Sequence, residues 1–530
     1  MSNITGKSIA TLILFVLSII FVIHDVNFPV KLPRYGKRTI PINLTTAPIL
    51  AIAILWASQC LGPAQIRDGI VGTEGVKPYN ILILFFSLAY MAITLDVTGI
   101  LQSAAYWVSN RGGASGWRLF TYFYIMLTLL SVLLGNDPVI LSGTAFLVYY
   151  THVVEELTDP LPWLISEFAA ANTASMVLFV GNPTNVVVCE GFGVNNVAFT
   201  AYTILPFLAC NLFCFFALAI QYRSSKYIPR RITPTKLDVR SVLLDPVSAW
   251  VGSILLGSCL IVIIIVSFFG VDVWKISLPF AVAKFIWDMG WGHYQYLRRR
   301  NKVKSMQDSP VLDMSSSMRS DATTRRDTVE SSPDTEKTLV DNHPPSPMGL
   351  TRLERLHEHF PTFFTALPRL PFALIPFAFS QFILIEALAH QGWIQVFAGW
   401  LVRASHREIH PTIWLIGVMG VILCNIAGTN IGATILLTKV VRAAEMPPHS
   451  LRAAAISLAV ASNIGAVSFT FSASLAGLLW KTILGQKGIN IRQFTFAKWN
   501  VFPLLSMTTV GLAIVSAEMA VLYHGSDSLE

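Results

Sequence analysis

The chain has 530 residues, of which 53% are hydrophobic and only 13% charged, against about 25% charged in an ordinary soluble domain. Such a composition argues for an integral membrane protein. The formal net charge of +8 comes from basic loops between apolar blocks, which set orientation and give no sign of nucleic-acid binding.

Apolar blocks fall near 8–23, 44–61, 79–97, 118–150, 163–189, 200–221, 249–270, 276–292, 371–389, 411–443, 451–479 and 500–523. Their lengths suit helices crossing roughly 30 Å of hydrocarbon. The alternating pattern of a membrane β-barrel is absent. The first block lacks a small-residue cleavage site and reads as a retained span. The basic stretches "VKLPRYGKR" (30–38), "QYRSSKYIPRR" (221–231) and "YLRRRNKVK" (296–304), with the Lys and Arg residues of 481–498, predict cytoplasmic loops; 62–78 should lie outside.

These sides agree only if 118–150 and 411–443 each enter and leave on one side. Each block is too long for one helix, too short for two full spans, and polar in its middle. Both therefore read as re-entrant helical hairpins, opening to opposite faces. The blocks also repeat: "FFSLAYMAITLD" (85–96) matches "PFAFSQFILIE" (376–386) in its order of residue classes, ending in Asp96 and Glu386. After each come an amphipathic stretch, the hairpin, a polar-interrupted span and a final span. Asp96 and Glu386, near the ends of their spans, should be interfacial or paired with a nearby base.

The predicted fold is an all-α integral membrane protein of two inverted repeats, with re-entrant helical hairpins and interrupted transmembrane helices. Residues 1–62 form N-terminal transmembrane helices, 79–221 the first repeat, 249–292 connecting helices, 293–370 a disordered cytoplasmic linker and 371–525 the second repeat. The linker is polar, Ser/Pro-rich and poor in aromatics. Ser309, Ser332 and Ser346 precede prolines and Thr328 follows Arg325 and Arg326; phosphoregulation and a plain tether are the alternatives.

Four polar interruptions carry the chemistry: "GNDP" (135–138), "GNPTN" (181–185), "CNIAGTN" (424–430) and "SNIGAVSFT" (462–470). Backbone breaks survive at membrane depth only around a protein-lined cavity. A broken helix offers orphan N–H groups that attract anions and orphan C=O groups that attract cations. The expected binding residues are Asn136, Asn182, Thr184, Asn185, Asn425, Thr429, Asn430, Ser462 and Asn463. Ser468 and Thr470 should line the second break. Asn182 and Asn185 could instead line a simple proline kink at Pro183. Asn172 and Thr173 could be interhelical hydrogen-bond glue.

Asp137 has two readings. An acid at membrane depth is costly when charged, which suits a proton carrier. Alternatively it caps a half-helix starting at Pro138 or Val139 and stays charged. The six cysteines, Cys60, Cys189, Cys210, Cys214, Cys259 and Cys424, show no zinc spacing. Cys210 and Cys214 share a helix face, as a thiol site for a soft ion or as small apolar filling. No metal and no cofactor is expected.

The stretches "LLGNDPVILSGTAFLVYY", "ANTASMVLFVGNPTNVVV", "NIAGTNIGATILLT" and "SNIGAVSFTFSASLAGLLWKTILGQKGI" together resemble the ion transporter superfamily. This group includes arsenite efflux permeases, citrate and dicarboxylate carriers, and sodium/proton antiporters. "SLAGLLWKTILGQKGI" is most similar to the arsenite permease branch. The resemblance implies a scaffold and a mobile transport subdomain in each half, substrate between hairpin tips and broken spans, and a homodimer. The chain departs from the Ser-Asn-Thr tips of the dicarboxylate branch and lacks a second "GNPTN".

The expected function is secondary active transport, as proton-coupled efflux of a small inorganic oxyanion or its neutral acid of the arsenite or antimonite type. Asp137 would carry the proton. A citrate or dicarboxylate carrier and a cation/proton antiporter are the alternatives. An enzyme is not expected, because no His-Glu metal cluster, activated serine or paired aspartates stand among the intramembrane residues. The partners are a small solute or ion, a proton or sodium, and the bilayer of the plasma membrane or an organelle such as the vacuole.

Overall fold

The computed structural model describes residues 4–24, 26–32, 36–73, 75–233, 237–269, 271–307 and 352–523. Among them, eight helices are long and apolar enough to cross a membrane. The chain opens with α1 (Gly6–Ile23), a hairpin of strands β1 (Val26–Leu32) and β2 (Gly36–Ile42), then α2 (Thr46–Ala57) and α3 (Pro63–Val71). The antiparallel hairpin, registered Val26 to Ile42 and Leu32 to Gly36, occupies the basic stretch expected as a plain loop. The 44–61 block is not a full span. Its helix has 12 residues, about 18 Å at 1.5 Å per residue, and Pro63 opens the next helix after Gly62.

The first repeat runs α4 (Pro78–Val97), α5 (Ile100–Gly112), α6 (Gly116–Leu134), α7 (Asn136–Val153), α8 (Leu161–Ala174), α9 (Pro183–Phe192) and α10 (Asn196–Gln221). Helices α11 (Pro246–Val266) and α12 (Trp274–Gln307) follow, then α13 (Arg352–His359) and α14 (Pro361–Ala366). The second repeat runs α15 (Leu374–His390), α16 (Trp393–Ser405), α17 (Ile409–Ile426), α18 (Asn430–Ala443), α19 (Pro448–Ile464), α20 (Leu475–Gln486) and α21 (Gln493–Tyr523).

The seven helices correspond one to one. Gly99 and Gly392, with φ of 86° and 82°, open α5 and α16. Gly135 and Gly428, with φ of 83° and 85°, turn the two hairpins α6–α7 and α17–α18; other residues would be strained there. Pro206 and Pro503 sit at matching places within α10 and α21. The turn glycines also show that Asp96 and Glu386 are not equivalent. Asp96 stands three residues before Gly99, and Glu386 six before Gly392.

Two compact units are present. One comprises Met1–Lys284 and Pro368–Glu530 and holds both repeats; the other is Phe285–Leu367. In the second unit His359 stacks on His293 and Tyr296, with centroids 4.9 Å and 4.2 Å away. The described ends of the stretch expected as a disordered linker, 293–370, are helical. Helix α12 runs to Gln307 because "RRRNKVKSMQ" is made mostly of competent helix formers, and α13 and α14 occupy much of 352–366. Ser309, Thr328, Ser332 and Ser346 lie outside the described residues.

In the first unit the interrupted helices exchange partners. Helix α9, from the first repeat, packs on α18 of the second; α20, from the second, packs on α7 of the first. One apolar core joins Val139, Ile140 and Phe146 of α7 with Phe168 and Trp480. Another joins Val186 and Val187 of α9 with Ile431, Ile435 and Val441 of α18.

Candidate functional site

The exchange brings four helix N-termini to one point. A small cavity of about 10 Å³ is lined by Asn136 and Asp137 (start of α7), Asn182 and Pro183 (α9), Asn430 and Ile431 (α18), and Ser474, Leu475 and Ala476 (α20), with Phe85 from α4. This volume has room for about one water. Each terminus carries the exposed N–H end of a helix dipole, about half a positive charge. The wall contains no Lys or Arg.

Each element reaches this point for a local reason. Asn182 is the N-cap of α9; its side chain accepts from the Thr184 N–H at 3.2 Å. Pro183 follows at the first helical position, where its missing N–H costs nothing. Thr429 caps α18, accepting from Gly432 N–H at 3.3 Å, and Ser474 caps α20, accepting from Gly477 N–H at 3.0 Å. At the first tip Gly135 lies against Gly181, where a Cβ would sit 3.3 Å from the carbonyl oxygen. Hairpin tip and broken span are therefore in direct contact.

Helix α7 begins at Asn136, which places Asp137 inside the first turn, and no side-chain cap bond is made. Among the described residues no basic group or hydrogen-bond donor acts on its carboxyl. Asn136 is buried and donates to Asn172 Oδ1 at 3.1 Å.

Behind the cavity, an amide lattice holds the breaks open. Asn463 Oδ1 accepts from Ser175 Oγ at 2.9 Å and Asn182 Nδ2 at 3.2 Å. Asn463 Nδ2 donates to Asn185 Oδ1 at 2.7 Å, and Asn185 Nδ2 donates to the Ser175 and Leu178 carbonyls, both at 2.8 Å. Ser462 Oγ and Thr184 Oγ1 are 3.3 Å apart, and Asn430 Nδ2 donates to the Ser462 carbonyl at 3.1 Å. Asn425 binds the second break: its Nδ2 donates to Ser468 Oγ at 2.7 Å, and its Oδ1 accepts from the Phe469 and Thr470 N–H groups at 3.1 Å.

Of the residues singled out from sequence, Asn136, Asp137, Asn182 and Asn430 thus line the cavity. Thr184, Asn185, Thr429, Ser462 and Asn463 stand one layer back, while Asn425 ties the end of α17 to the second break. Sequence reading missed Ser474 and Phe85. Ser474 precedes the apolar run "LAGLLW", which is an N-cap signature; nothing local marks Phe85. Cys210 and Cys214 are both buried, and Cys210 packs so tightly that a Cβ on Gly511 would come within 2.7 Å of its sulfur. Among the described residues no group of three His, Cys, Asp or Glu side chains could hold a metal.

Each terminal acid is paired with a base, one of the two arrangements expected for it; the sequence did not show which base. Asp96 meets Arg369 at 3.2 Å, and Glu386 meets Lys439 at 2.6 Å. Thr73 joins the second pair, hydrogen-bonded to Glu386 and, at 2.9 Å, to Lys439 Nζ. Beside it, at the starts of α4 and α12, Asp272 bridges Lys77 at 3.2 Å and Lys275 at 3.0 Å. These lysines hold the Asp272 carboxyl below the usual carboxylate range, and Asp272 in turn raises Lys77.

Inverted repeats, paired hairpins and interrupted helices around one buried polar cavity define a multi-pass membrane protein with the architecture in which transporters place their binding sites. Residues 9–331 match the family model described as citrate transporter, more than half of the chain, and the chain belongs to that family. Among curated proteins it is similar to the 46 kDa membrane protein of Mycobacterium leprae (strain TN), 28% identical over 159 residues, 29% of this chain and 35% of the relative. It is also similar to the arsenical pump membrane proteins of Escherichia coli (28% over 125 residues, 23% and 28% covered) and Yersinia enterocolitica (24% over 252 residues, 44% and 57% covered). The chain thus spans between 28% and 57% of these relatives' length. Among solved structures, the Alcanivorax borkumensis YdaH transporter aligns over 98% of this chain and 99% of its own, at 12% identity and a TM-score of 0.46.

Proposed function

We propose that this protein is a secondary active carrier that exports a small inorganic oxyanion or its neutral acid, of the arsenite or antimonite type, against entering protons. The observation that carries this reading is the meeting of four helix N-termini and one carboxyl group at a single small cavity. Four termini contribute nominally about +2 charges, of which ionised Asp137 offsets about half. Backbone N–H groups and the amides of Asn136, Asn182 and Asn430 donate to a solute's oxygens. Ionised Asp137 accepts from the hydroxyls of a neutral acid such as arsenous acid. A proton on Asp137 cancels the charge and turns one acceptor oxygen into a donor, so proton and solute compete at one site, which is the condition for exchange. Thr184, Asn185, Asn425, Thr429, Ser462 and Asn463 keep the broken ends aligned.

The names of the arsenical pump relatives support this reading; the family's own description favours citrate. The charge of the cavity wall supports the first. A tricarboxylate calls for several compensating cations, and no Lys or Arg lines the cavity. Cation/proton exchange would use the same Asp137. The test is uptake by the purified protein in liposomes under an imposed pH gradient, with arsenite, antimonite and citrate, each with and without sodium. Gradient-driven movement of arsenite or antimonite is expected. Sodium-driven citrate uptake without arsenite movement overturns the proposal.

A further inference from the structure

A second acid lies deeper in the first repeat, away from the cavity. Glu167, on α8, is fully buried. Its Oε2 accepts from Thr144 Oγ1 of α7 at 2.9 Å. Its Oε1 has no hydrogen-bond partner among the described residues. Trp480 of α20 lies against the carboxyl, and its indole N–H is likewise without a bonded partner among the described residues. Helices α6, α10, α19 and α21 also pack on α8 and bring no charged group to the carboxyl. The titratable side chains they place in this core bond elsewhere: Tyr124 to the Asn211 carbonyl at 2.9 Å, Cys210 to the Met507 carbonyl at 3.4 Å, and Cys214 lies against Tyr124.

The chain makes room for this acid. A Cβ on Gly143 would come within 2.4 Å of Glu167 Oε1, so a side chain at that position would push the carboxyl from where it sits. The inverted repeat shows that the fold does not demand the pair. Seven residues into α7 stands Gly143, and seven into α18 stands Leu437; eight residues before the C-cap of α8 stands Glu167, and eight before that of α19 stands Ser457. Asp137 shows the same asymmetry, its counterpart in α18 being Ile431. On the other side of Gly143 lies a second small cavity, walled by Leu101, Ala105, Met126, Leu130 and Phe146, with Ser142 as its one polar side chain.

An unpaired carboxylate in such surroundings is far costlier than a carboxylic acid. We propose that Glu167 is a second proton-binding site of the transporter, two helix turns from Asp137 toward the open end of the first hairpin. The proton sits on a carboxyl oxygen beside Gly143. The carboxylate left behind on release is held by the Thr144 hydroxyl and the Trp480 indole N–H. This deepens the proton-coupled reading given above and rests on it for its role in transport, but proton binding itself can be measured without any substrate.

The experiment is infrared difference spectroscopy of the full-length protein in lipid during a pH titration. A carboxylic C=O band that titrates in the wild type and in Asp137→Asn, and is missing in Glu167→Gln, is the expected result. A band unaffected by Glu167→Gln, or no such titrating band in the wild type, overturns the proposal. In liposomes with arsenite as the probe, Glu167→Gln should keep arsenite exchange at equal pH and lose gradient-driven movement; Glu167→Asp should restore part of it. Gradient-driven movement at the wild-type level in Glu167→Gln makes the residue structural and overturns the role. If the wild type moves no arsenite at all, the function proposed above fails while the infrared result still decides on Glu167.

Discussion

Asparagines bear most of the burden at the residue scale, because an amide both donates and accepts. Asn463 satisfies Ser175, Asn182 and Asn185 at once. Asn463→Ala leaves Asn182 Nδ2 and Asn185 Oδ1 without that partner, at about 1–3 kcal/mol each; Ser175 keeps its bond to the Asn172 carbonyl. A clear fall in the thermal unfolding temperature of the detergent-purified protein is expected, together with loss of transport. Asp137 behaves differently, since nothing in the fold leans on its charge. Asp137→Asn should unfold at the wild-type temperature, because an asparagine is well tolerated in the first turn, yet should lose the response of transport to a pH gradient. Unaltered gradient-driven movement in this variant would count against the proposed coupling.

At the scale of elements, joints between helices far apart in sequence matter most. Lys439 on α18 and Glu386 on α15 form an ion pair with both side chains largely buried. Removing one partner strands the other, at about 3–5 kcal/mol, whereas replacing both with apolar side chains is far less costly. Lys439→Met should therefore be markedly destabilised, and the double variant Lys439→Met with Glu386→Leu should recover most of the loss in thermal stability. The joint between α4 and α12 depends on pH. Asp272 is held below the ordinary carboxylate range, so its contribution is present at neutral pH and is lost as pH falls through that range. The stability difference between wild type and Asp272→Asn should shrink on acidification; a constant difference across that range would show that the charge is not responsible.

For the whole molecule, the exchange of α9 and α20 between the repeats has a direct consequence. Neither half holds a complete set of packing partners, because α9 needs α18 and α7 needs α20. Two fragments split within 308–351 should therefore be poorly stable when made singly and should co-purify when made together. Recovery of either fragment alone, monodisperse and thermally stable, would contradict this.

The repeat, the hairpins and the interrupted spans were legible because each leaves a local mark. Gly135, Asn182 and Gly428 interrupt runs that lipid would otherwise require to be unbroken. The hairpin β1–β2 was not legible, since its short basic stretch reads equally well as a loop. Nor was the short α2, whose block has span-like composition but ends at Gly62 and Pro63. Sequence also aligned Asp96 with Glu386 by residue class, where the turn glycines set them three positions apart.

Composition and breaks in periodicity, both properties of neighbouring residues, were enough to establish a membrane protein of duplicated, broken helices. They could not say which break faces which, because partners such as Asn182 and Asn463, Lys439 and Glu386, or Glu167 and Gly143 with Trp480 are chosen by packing across the chain. Only the tertiary structure decided that four helix starts share one cavity, that five of the expected polar residues stand behind its wall, and that a carboxyl from one helix lies against a glycine of its neighbour.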